Sequence, residues 1–189
     1  MPIANNSAAR LEGVNAVFGS HTVIQGEFAT SSDPNCSMNT VLGSCVSVCL
    51  YDPIARIGGM NHFLLPDGSG SSVDEMIYGL RSMELLINSL LRSGANRSDL
   101  KAKLFGGASM ISGLSSIGRR NIEFAHKFLS DEGFEVLGED LGGRRGRRLR
   151  FWPTTGRVQM RYMQAAEAPE IIEPAPVAAP KPNTDIELF

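Results

Sequence analysis

Apolar and polar residues follow two different periods along this chain, and these periods predict two helices among several strands. Between 73 and 93 the apolar residues recur every three to four positions, which predicts a helix with one buried stripe. Ser72 and Glu75 make a capping box before this helix, and Gly94 ends it. The stripe consists of Met76, Leu80, Met83, Ile87 and Leu90. A second helix is predicted over 121–132.

The other apolar segments are short and bounded by turn residues, which is typical of strands. The predicted strands are 22–28, 46–52, 57–65, 101–105, 134–139, 148–152 and 157–162. Strands outnumber helices and short turns join most neighbours. The pattern therefore predicts an α/β fold with a mostly antiparallel β-sheet and helices packed outside it.

Composition divides the chain into three parts. Residues 165–189 include five prolines and five acidic residues, which predicts a disordered tail rich in proline, alanine and glutamate. Residues 1–15 are expected to form a flexible N-terminus. One domain of ordinary size remains, over 16–164.

Charge and cysteine content narrow the function classes. The net charge of -2 and the lack of an aromatic, basic platform argue against nucleic-acid binding. No apolar run reaches the roughly 18–20 residues that span a bilayer, so no membrane insertion is predicted. No export signal is visible and the three cysteines are an odd number, which favours reduced thiols and a cytoplasmic protein.

A pair of reactive side chains is predicted within 40–66. Asp52 and Pro53 indicate a turn, and a two-residue hairpin loop at 53–54 would place Cys45 opposite His62. An imidazole at that distance can accept the thiol proton and stabilise the thiolate, which suits acyl-transfer chemistry. Taken alone, a strand cysteine and a single histidine are more often structural, and that alternative stays open.

Neighbouring residues have predicted supporting roles. A backbone amide at the bend of Gly43, Ser44 and Cys45 is expected to face a developing oxyanion. Thr40 or Ser44 is expected to bond the second ring nitrogen of His62 and fix its tautomer.

Two other chemistries are disfavoured by the spacing of their residues. Cys36, Cys45, Cys49 and His62 lack the spacing of a zinc site, so no metal is predicted. The glycine-rich segment 106–109 lacks the phosphate-loop spacing and lysine, and we interpret it as a tight strand exit that could line the site.

A basic run is the last feature of the domain. It consists of Arg144, Arg145, Arg147, Arg148 and Arg150. Such a run is commonly a solvated loop and strand edge. The functional alternative is that Arg144, Arg145 and Arg147 contact an acidic surface of a protein substrate.

Seven motifs, in chain order, resemble the CheD family of chemoreceptor glutamine deamidases. They are LGSCV at 42–46, LYD at 50–52, GGMNHFLLP at 58–66, KLFGGASM at 103–110, IGRRN at 117–121, DLGGRRGR at 140–147 and TGRV at 155–158. The resemblance spans about residues 20–163.

The resemblance implies a protein-glutamine deamidase without a cofactor, with Cys45 as nucleophile, His62 as general base and Thr40 as third catalytic residue. It implies a fold similar to the deamidating domain of a cytotoxic necrotising toxin. The implied partners are the cytoplasmic domains of chemoreceptors and a CheC-type phosphatase, and we expect a monomer. Two alternatives stay open: a non-catalytic regulator that binds receptors or that phosphatase, and another thiol acyl-transfer enzyme.

Overall fold

The computed structural model describes residues 16–65, 72–109 and 115–164, with the backbone alone at 72–75 and 115–116. The two predicted tails, 1–15 and 165–189, lie outside these ranges. In chain order the elements are β1 (Ser20–Thr22), β2 (Phe28–Ser31), β3 (Ser37–Leu42), β4 (Val46–Asp52), β5 (Ile57–Asn61), α1 (Ser72–Arg92), a short 3₁₀ helix (Arg97–Asp99), β6 (Lys101–Gly106), α2 (Ser115–Asp131), β7 (Glu135–Leu141), β8 (Arg147–Trp152) and β9 (Arg157–Tyr162).

The strands form two sheets. The larger has the order β2-β5-β4-β6-β7 and is antiparallel except between β6 and β7. The smaller has the order β1-β3-β8-β9 and is antiparallel except between β1 and β3. The predicted α/β class with mostly antiparallel pairing is therefore confirmed, as two mixed sheets of five and four strands.

Strand β4 shows how the layers are arranged. Val46, Val48 and Leu50 belong to a buried apolar cluster shared with α1 and α2. Cys49, which points to the other face, belongs to a second cluster shared with strands of the smaller sheet such as β8. A strand buried on both faces reads as a nearly continuous apolar run. Residues 46–50 fit this apart from Ser47, whose buried hydroxyl donates to the carbonyl of Asn61 at 2.6 Å. The larger sheet thus lies between the helices and the smaller sheet.

The helices were predicted with different success. The observed bounds of α1 differ by one residue from the prediction, and Gly94 follows it with a φ of 100°. Met83, Ile87 and Leu90 are buried as predicted, but Met76 is 55% exposed, so the stripe begins later than expected. Helix α2 begins six residues before the predicted start, because Gly118 made its first turns look non-helical. None of the described helices is long and apolar enough to cross a bilayer.

The N-terminal strands were predicted least well. The predicted strand 22–28 is wrong, since a turn at 24–27 separates β1 from β2. Strand β3 was not predicted, because the polar residues Ser37, Asn39 and Thr40 interrupt its apolar pattern. The predicted strand 57–65 ends as β5 at Asn61. The other predicted strands agree with the observed bounds to within two residues.

Candidate active site

The hairpin of β4 and β5 differs from the predicted register. Asp52 pairs with Ile57, so the loop has four residues and not two. The carboxylate of Asp52 explains this loop, because its Oδ1 accepts the amides of Ile54 and Ala55, each at 2.8 Å. The prediction that Cys45 lies directly opposite His62 is therefore wrong.

The two residues nevertheless stay on one side of the larger sheet. The bridge between Val46 and Phe63 continues the observed register, which places Ser47 opposite His62. Cys45 is then a diagonal neighbour of His62, and such positions on paired strands are about 7–8 Å apart through space. A shift of two residues changes this distance but preserves the face. Cys45 and His62 both lie in the described part of the chain, and no hydrogen bond joins Sγ of Cys45 to either ring nitrogen of His62.

The ring of His62 is held across the interface between the sheets. Oγ1 of Thr40, on β3, lies 2.9 Å from Nδ1 of His62 and 2.8 Å from the carbonyl oxygen of Val23. A carbonyl only accepts, so the single hydroxyl hydrogen of Thr40 goes to Val23 and Thr40 accepts from Nδ1–H. The Val23 oxygen, 3.3 Å from Nδ1, accepts from it as well. These contacts assign the proton to Nδ1 and leave a lone pair on Nε2.

The other ring nitrogen of His62, Nε2, is buried without a hydrogen bond to any described residue. His62 as a whole is 6% exposed. Buried polar atoms without partners are rare and need an explanation. Burial lowers the pKa of His62, against the opposing effect of the Val23 carbonyl. The imidazole is therefore neutral near pH 7, with an unused acceptor.

Cys45 lies where the chain crosses from β3 of the smaller sheet to β4 of the larger one. It is 9% exposed, and burial raises the pKa of its thiol to about 11, although its own backbone amide acts in the other direction. Its Sγ donates to Oε1 of Gln25 at 3.4 Å. The resting pair is thus a neutral thiol and a neutral imidazole, not the predicted thiolate and imidazolium.

The glycine-rich segment 106–109 supports the bend that carries Cys45. The amide of Ala108 donates to the carbonyl of Gly43 at 2.8 Å, and the amide of Gly107 donates to that of Cys45 at 2.7 Å. A Cβ at Gly106, where φ is 115°, would lie 2.1 Å from the Cys45 carbonyl oxygen. Only glycine fits this approach, so the segment does pack against the site.

Asn121 fixes the same bend from α2 and was not foreseen. It is fully buried; its Nδ2 donates to the carbonyl of Ser44 at 2.9 Å, and its Oδ1 accepts from the amide of Leu65 at 2.8 Å. One side chain therefore holds both the bend before Cys45 and the segment after His62. Its place in the motif 117–121 was the signal available in the sequence.

Replacing Asn121 by alanine is expected to lower the free energy of unfolding by about 2–5 kcal/mol, because two buried backbone groups lose their partner. Urea unfolding measures this loss. Asn35→Ala is the control, since Asn35 is exposed in a turn and its replacement should change stability by less than about 0.5 kcal/mol. Equal effects of the two changes would contradict this role of Asn121.

One role that the sequence left open is decided by the structure. Thr40, and not Ser44, bonds the ring of His62, while the amide of Ser44 makes no backbone or side-chain hydrogen bond within the described ranges. No group of three or more His, Cys, Asp or Glu side chains that could hold a metal occurs in the same ranges.

The basic run divides into exposed and buried members. Arg144 and Arg145 are exposed, and Arg145 stacks on the ring of Tyr162 at 4.0 Å. Arg147 is only 2% exposed, and its guanidinium bonds the carboxylate of Asp140 at 2.5 Å and the carbonyl of Gly142 at 2.8 Å. The prediction that Arg147 contacts a substrate surface is therefore wrong, because its charge is used within the fold.

Comparison with protein families gives one clear similarity. The family model described as CheD chemotactic sensory transduction matches residues 64–162. A protein of Rhizobium leguminosarum bv. trifolii is 50% identical over 173 residues, which cover 88% of this chain and 94% of that protein. A protein of Acidiphilium cryptum is 49% identical over 175 residues, covering 88% and 92%. Both are named probable chemoreceptor glutamine deamidase CheD.

The extent of these matches bears on the site. The family model begins after His62, so it does not include Cys45. Coverage of 88% of 189 residues leaves about 23 outside, and the site is farther than that from both ends, so the relatives' alignments include it.

Solved structures resemble the fold only distantly. The hypothetical protein YfiH of Bacillus licheniformis gives a TM-score of 0.40 at 15% identity, over 68% of this chain and 64% of its own. A Neisseria meningitidis protein of the family DUF152 gives 0.41 at 9% identity, over 71% and 75%. Scores this low carry no functional argument, and the likeness to the toxin domain stays a prediction.

Proposed function

The chain belongs to the CheD family, and on that premise we propose that it is a protein-glutamine deamidase which converts glutamine side chains of chemoreceptors to glutamate. The observation that carries the proposal is the buried Nε2 of His62, an acceptor without a partner among the described residues, on the same side of the larger sheet as Cys45. A nucleophile, a base and a third group that orients the base form the arrangement used in acyl transfer.

In the first half of the proposed cycle, the amide of a receptor glutamine binds between Cys45 and His62. Nε2 takes the thiol proton as Sγ attacks the amide carbon, which is consistent with two groups that are neutral at rest. Cys45 and His62 share no hydrogen bond at rest. This is compatible with proton transfer during the attack, because catalytic hydrogen bonds often tighten only when substrate binds. His62 then returns the proton to the departing nitrogen, the C–N bond breaks, and ammonia leaves a thioester on Cys45.

The second half of the cycle is hydrolysis. His62 takes a proton from water, the oxygen attacks the thioester carbon, and the C–S bond breaks. Sγ recovers its proton, and the substrate leaves as glutamate. The Thr40 hydroxyl keeps the proton on Nδ1 throughout and stabilises the imidazolium that forms in each half.

The oxyanion of both tetrahedral intermediates is proposed to face the amides of the bend at Ser44 and Cys45. The carbonyls of Gly43, Ser44 and Cys45 all accept hydrogen bonds from Gly107, Ala108 or Asn121, which turns them into the protein. The amide of Ser44 is left without a protein acceptor in the described part of the chain. A fixed donor of this kind acts mainly on the charge that develops during reaction.

Exposed arginines are proposed to guide the receptor surface to this bend. The loop that carries Arg144 and Arg145 bonds the segment 106–109: Gly142 donates to Gly106 at 2.9 Å, and Ser109 donates to the carbonyl of Gly143 at 2.8 Å. The loop of Arg144 and Arg145 thus contacts the segment 106–109, which itself contacts the bend that carries Cys45. From there the two arginines can attract an acidic protein surface.

Partners and location follow from the proposed substrate. Because the substrate is the cytoplasmic part of a chemoreceptor, we place the enzyme in the cytoplasm, acting as a monomer. A CheC-type phosphatase is proposed as a second partner. Gel filtration of the protein alone and with such a phosphatase tests both statements.

Incubation with a chemoreceptor cytoplasmic fragment is expected to raise the fragment's mass by about one dalton per glutamine converted, because oxygen replaces an NH group. Intact-mass and peptide mass spectrometry measure the gain and locate it. Receptor binding without any mass gain would favour a non-catalytic regulator. An isopeptide product in the presence of added amine would favour a transglutaminase-like enzyme.

A further inference from the structure

A glutamine of the chain itself lies on the proposed nucleophile. Gln25 is exposed, yet its side-chain Oε1 accepts from Sγ of Cys45 at 3.4 Å. It belongs to the turn at 24–27, called here the covering turn. The turn is closed by the amide of Glu27 donating to the carbonyl of Ile24 at 3.0 Å, with Gly26 at a φ of 84°. This is the conformation of a type II turn with Gln25 at its second position.

The covering turn is fastened to the proposed base. The amide of Gly26 donates to the carbonyl of His62 at 2.7 Å, and the amide of His62 donates to the carbonyl of Glu27 at 3.0 Å. Val23, just before the turn, holds Nδ1 of the same histidine. The backbone on both sides of Gln25 is thus fixed, and only its side chain is free to leave Cys45.

The group that Gln25 presents is chemically the group that the proposed substrate presents. A carboxamide oxygen that accepts from the thiol stabilises the protonated form and disfavours the thiolate. It also lies within hydrogen-bonding distance of the sulfur that an incoming glutamine must reach. The side chain of Gln25 is exposed, so its hydrogen bond to Cys45 contributes little net free energy. A substrate can therefore displace it.

We propose that Gln25 is an internal cover of the active site: its carboxamide occupies the substrate's place on Cys45 and competes with the glutamine of the receptor. The inference rests on Cys45 being the nucleophile of the proposed function. Gln25 then controls access to Cys45. When substrate binds, the carboxamide of the receptor glutamine displaces the carboxamide of Gln25 from the sulfur.

Three variants of the full chain test the cover. In Gln25→Ala, the rate constant for alkylation of Cys45 by iodoacetamide and kcat/KM for a receptor fragment are both expected to rise about two- to tenfold. In Gln25→Glu both should fall below wild type, because a carboxylate binds the thiol more firmly and repels the thiolate. Gln159→Ala, an exposed glutamine on β9, is the matched control and should change neither.

The two changes at position 25 act in opposite directions, which a merely structural role would not produce. Equal or slower alkylation of Gln25→Ala would overturn the inference, as would faster reaction of Gln25→Glu. Alkylation requires no receptor, so its outcome is separate from the test of deamidation. A wild type that deamidates receptors while all variants are alkylated at one rate would defeat the cover and leave the proposed function standing.

Discussion

Replacing Cys45 by alanine is expected to lower kcat for receptor deamidation at least about a thousandfold, because the reaction loses the atom that forms the covalent intermediate. The other two thiols cannot take its place, since Cys36 and Cys49 are fully buried. Stability should change by only about 1 kcal/mol, since the replacement removes one sulfur atom and keeps the backbone hydrogen bonds of the bend. Mass spectrometry of the receptor fragment and urea unfolding measure the two quantities.

Cys49→Ala is the matched control for this change. Cys49 lies four residues further along, on the same face of the larger sheet, but it is fully enclosed and burial raises the pKa of its thiol to about 12. Its replacement should cost about 1–2 kcal/mol through the cavity that it leaves, with activity unchanged. Loss of activity in Cys49→Ala, or its survival in Cys45→Ala, would show that the nucleophile has been assigned to the wrong thiol.

The hairpin shows which part of the site could be predicted from sequence. A turn at Asp52 and a sulfur and an imidazole on one face were all correctly expected. The exact pairing was wrong, because the carboxylate of Asp52 stabilises a longer loop than its neighbour Pro53 suggests. The predicted register was shifted by two residues. Because side chains alternate between faces with a period of two, this shift left Cys45 and His62 on the same face.

Long-range partners could not be predicted by periodicity or spacing. The side chain of Asn121 bonds a carbonyl 77 residues away, and Gln25 reaches a thiol 20 residues away. Each contact depends on how helices and turns pack against the larger sheet, which is a tertiary property. The charge states followed the same rule. Sequence suggested an ion pair at Cys45 and His62, whereas burial favours the neutral form of both.

Replacing His62 by alanine is expected to lower kcat about 10²- to 10⁴-fold, which is the usual contribution of general acid–base catalysis. The thiol of Cys45 then loses the base proposed to accept its proton. His126→Ala is the control, since His126 is half-buried on α2, outside the proposed site, and contacts the carboxylate of Glu139 at 3.3 Å. This control should keep full activity, and a similar loss in both variants would remove His62 from the mechanism.

The pH dependence of the wild type separates a neutral pair from an ion pair. Burial lowers the pKa of His62, so the midpoint of the loss of activity at acid pH should lie below the ordinary histidine value of about 6.5. The residual activity of His62→Ala should lack this transition. The same shift stabilises the fold above pH 6.5, and this contribution is lost as pH falls through the lowered pKa.

The thiol gives the complementary half of the test. Because burial raises the pKa of Cys45 to about 11, its alkylation by iodoacetamide should be slow at pH 7 and keep rising with pH towards that value. An ion pair would instead give fast alkylation on a plateau that begins well below pH 7, since the imidazolium would stabilise the thiolate there. A plateau of that kind would show that the proton moves to His62 before substrate binds. A continuous rise would place the transfer within the reaction, where Nε2, which has no partner among the described residues, accepts the proton as sulfur attacks.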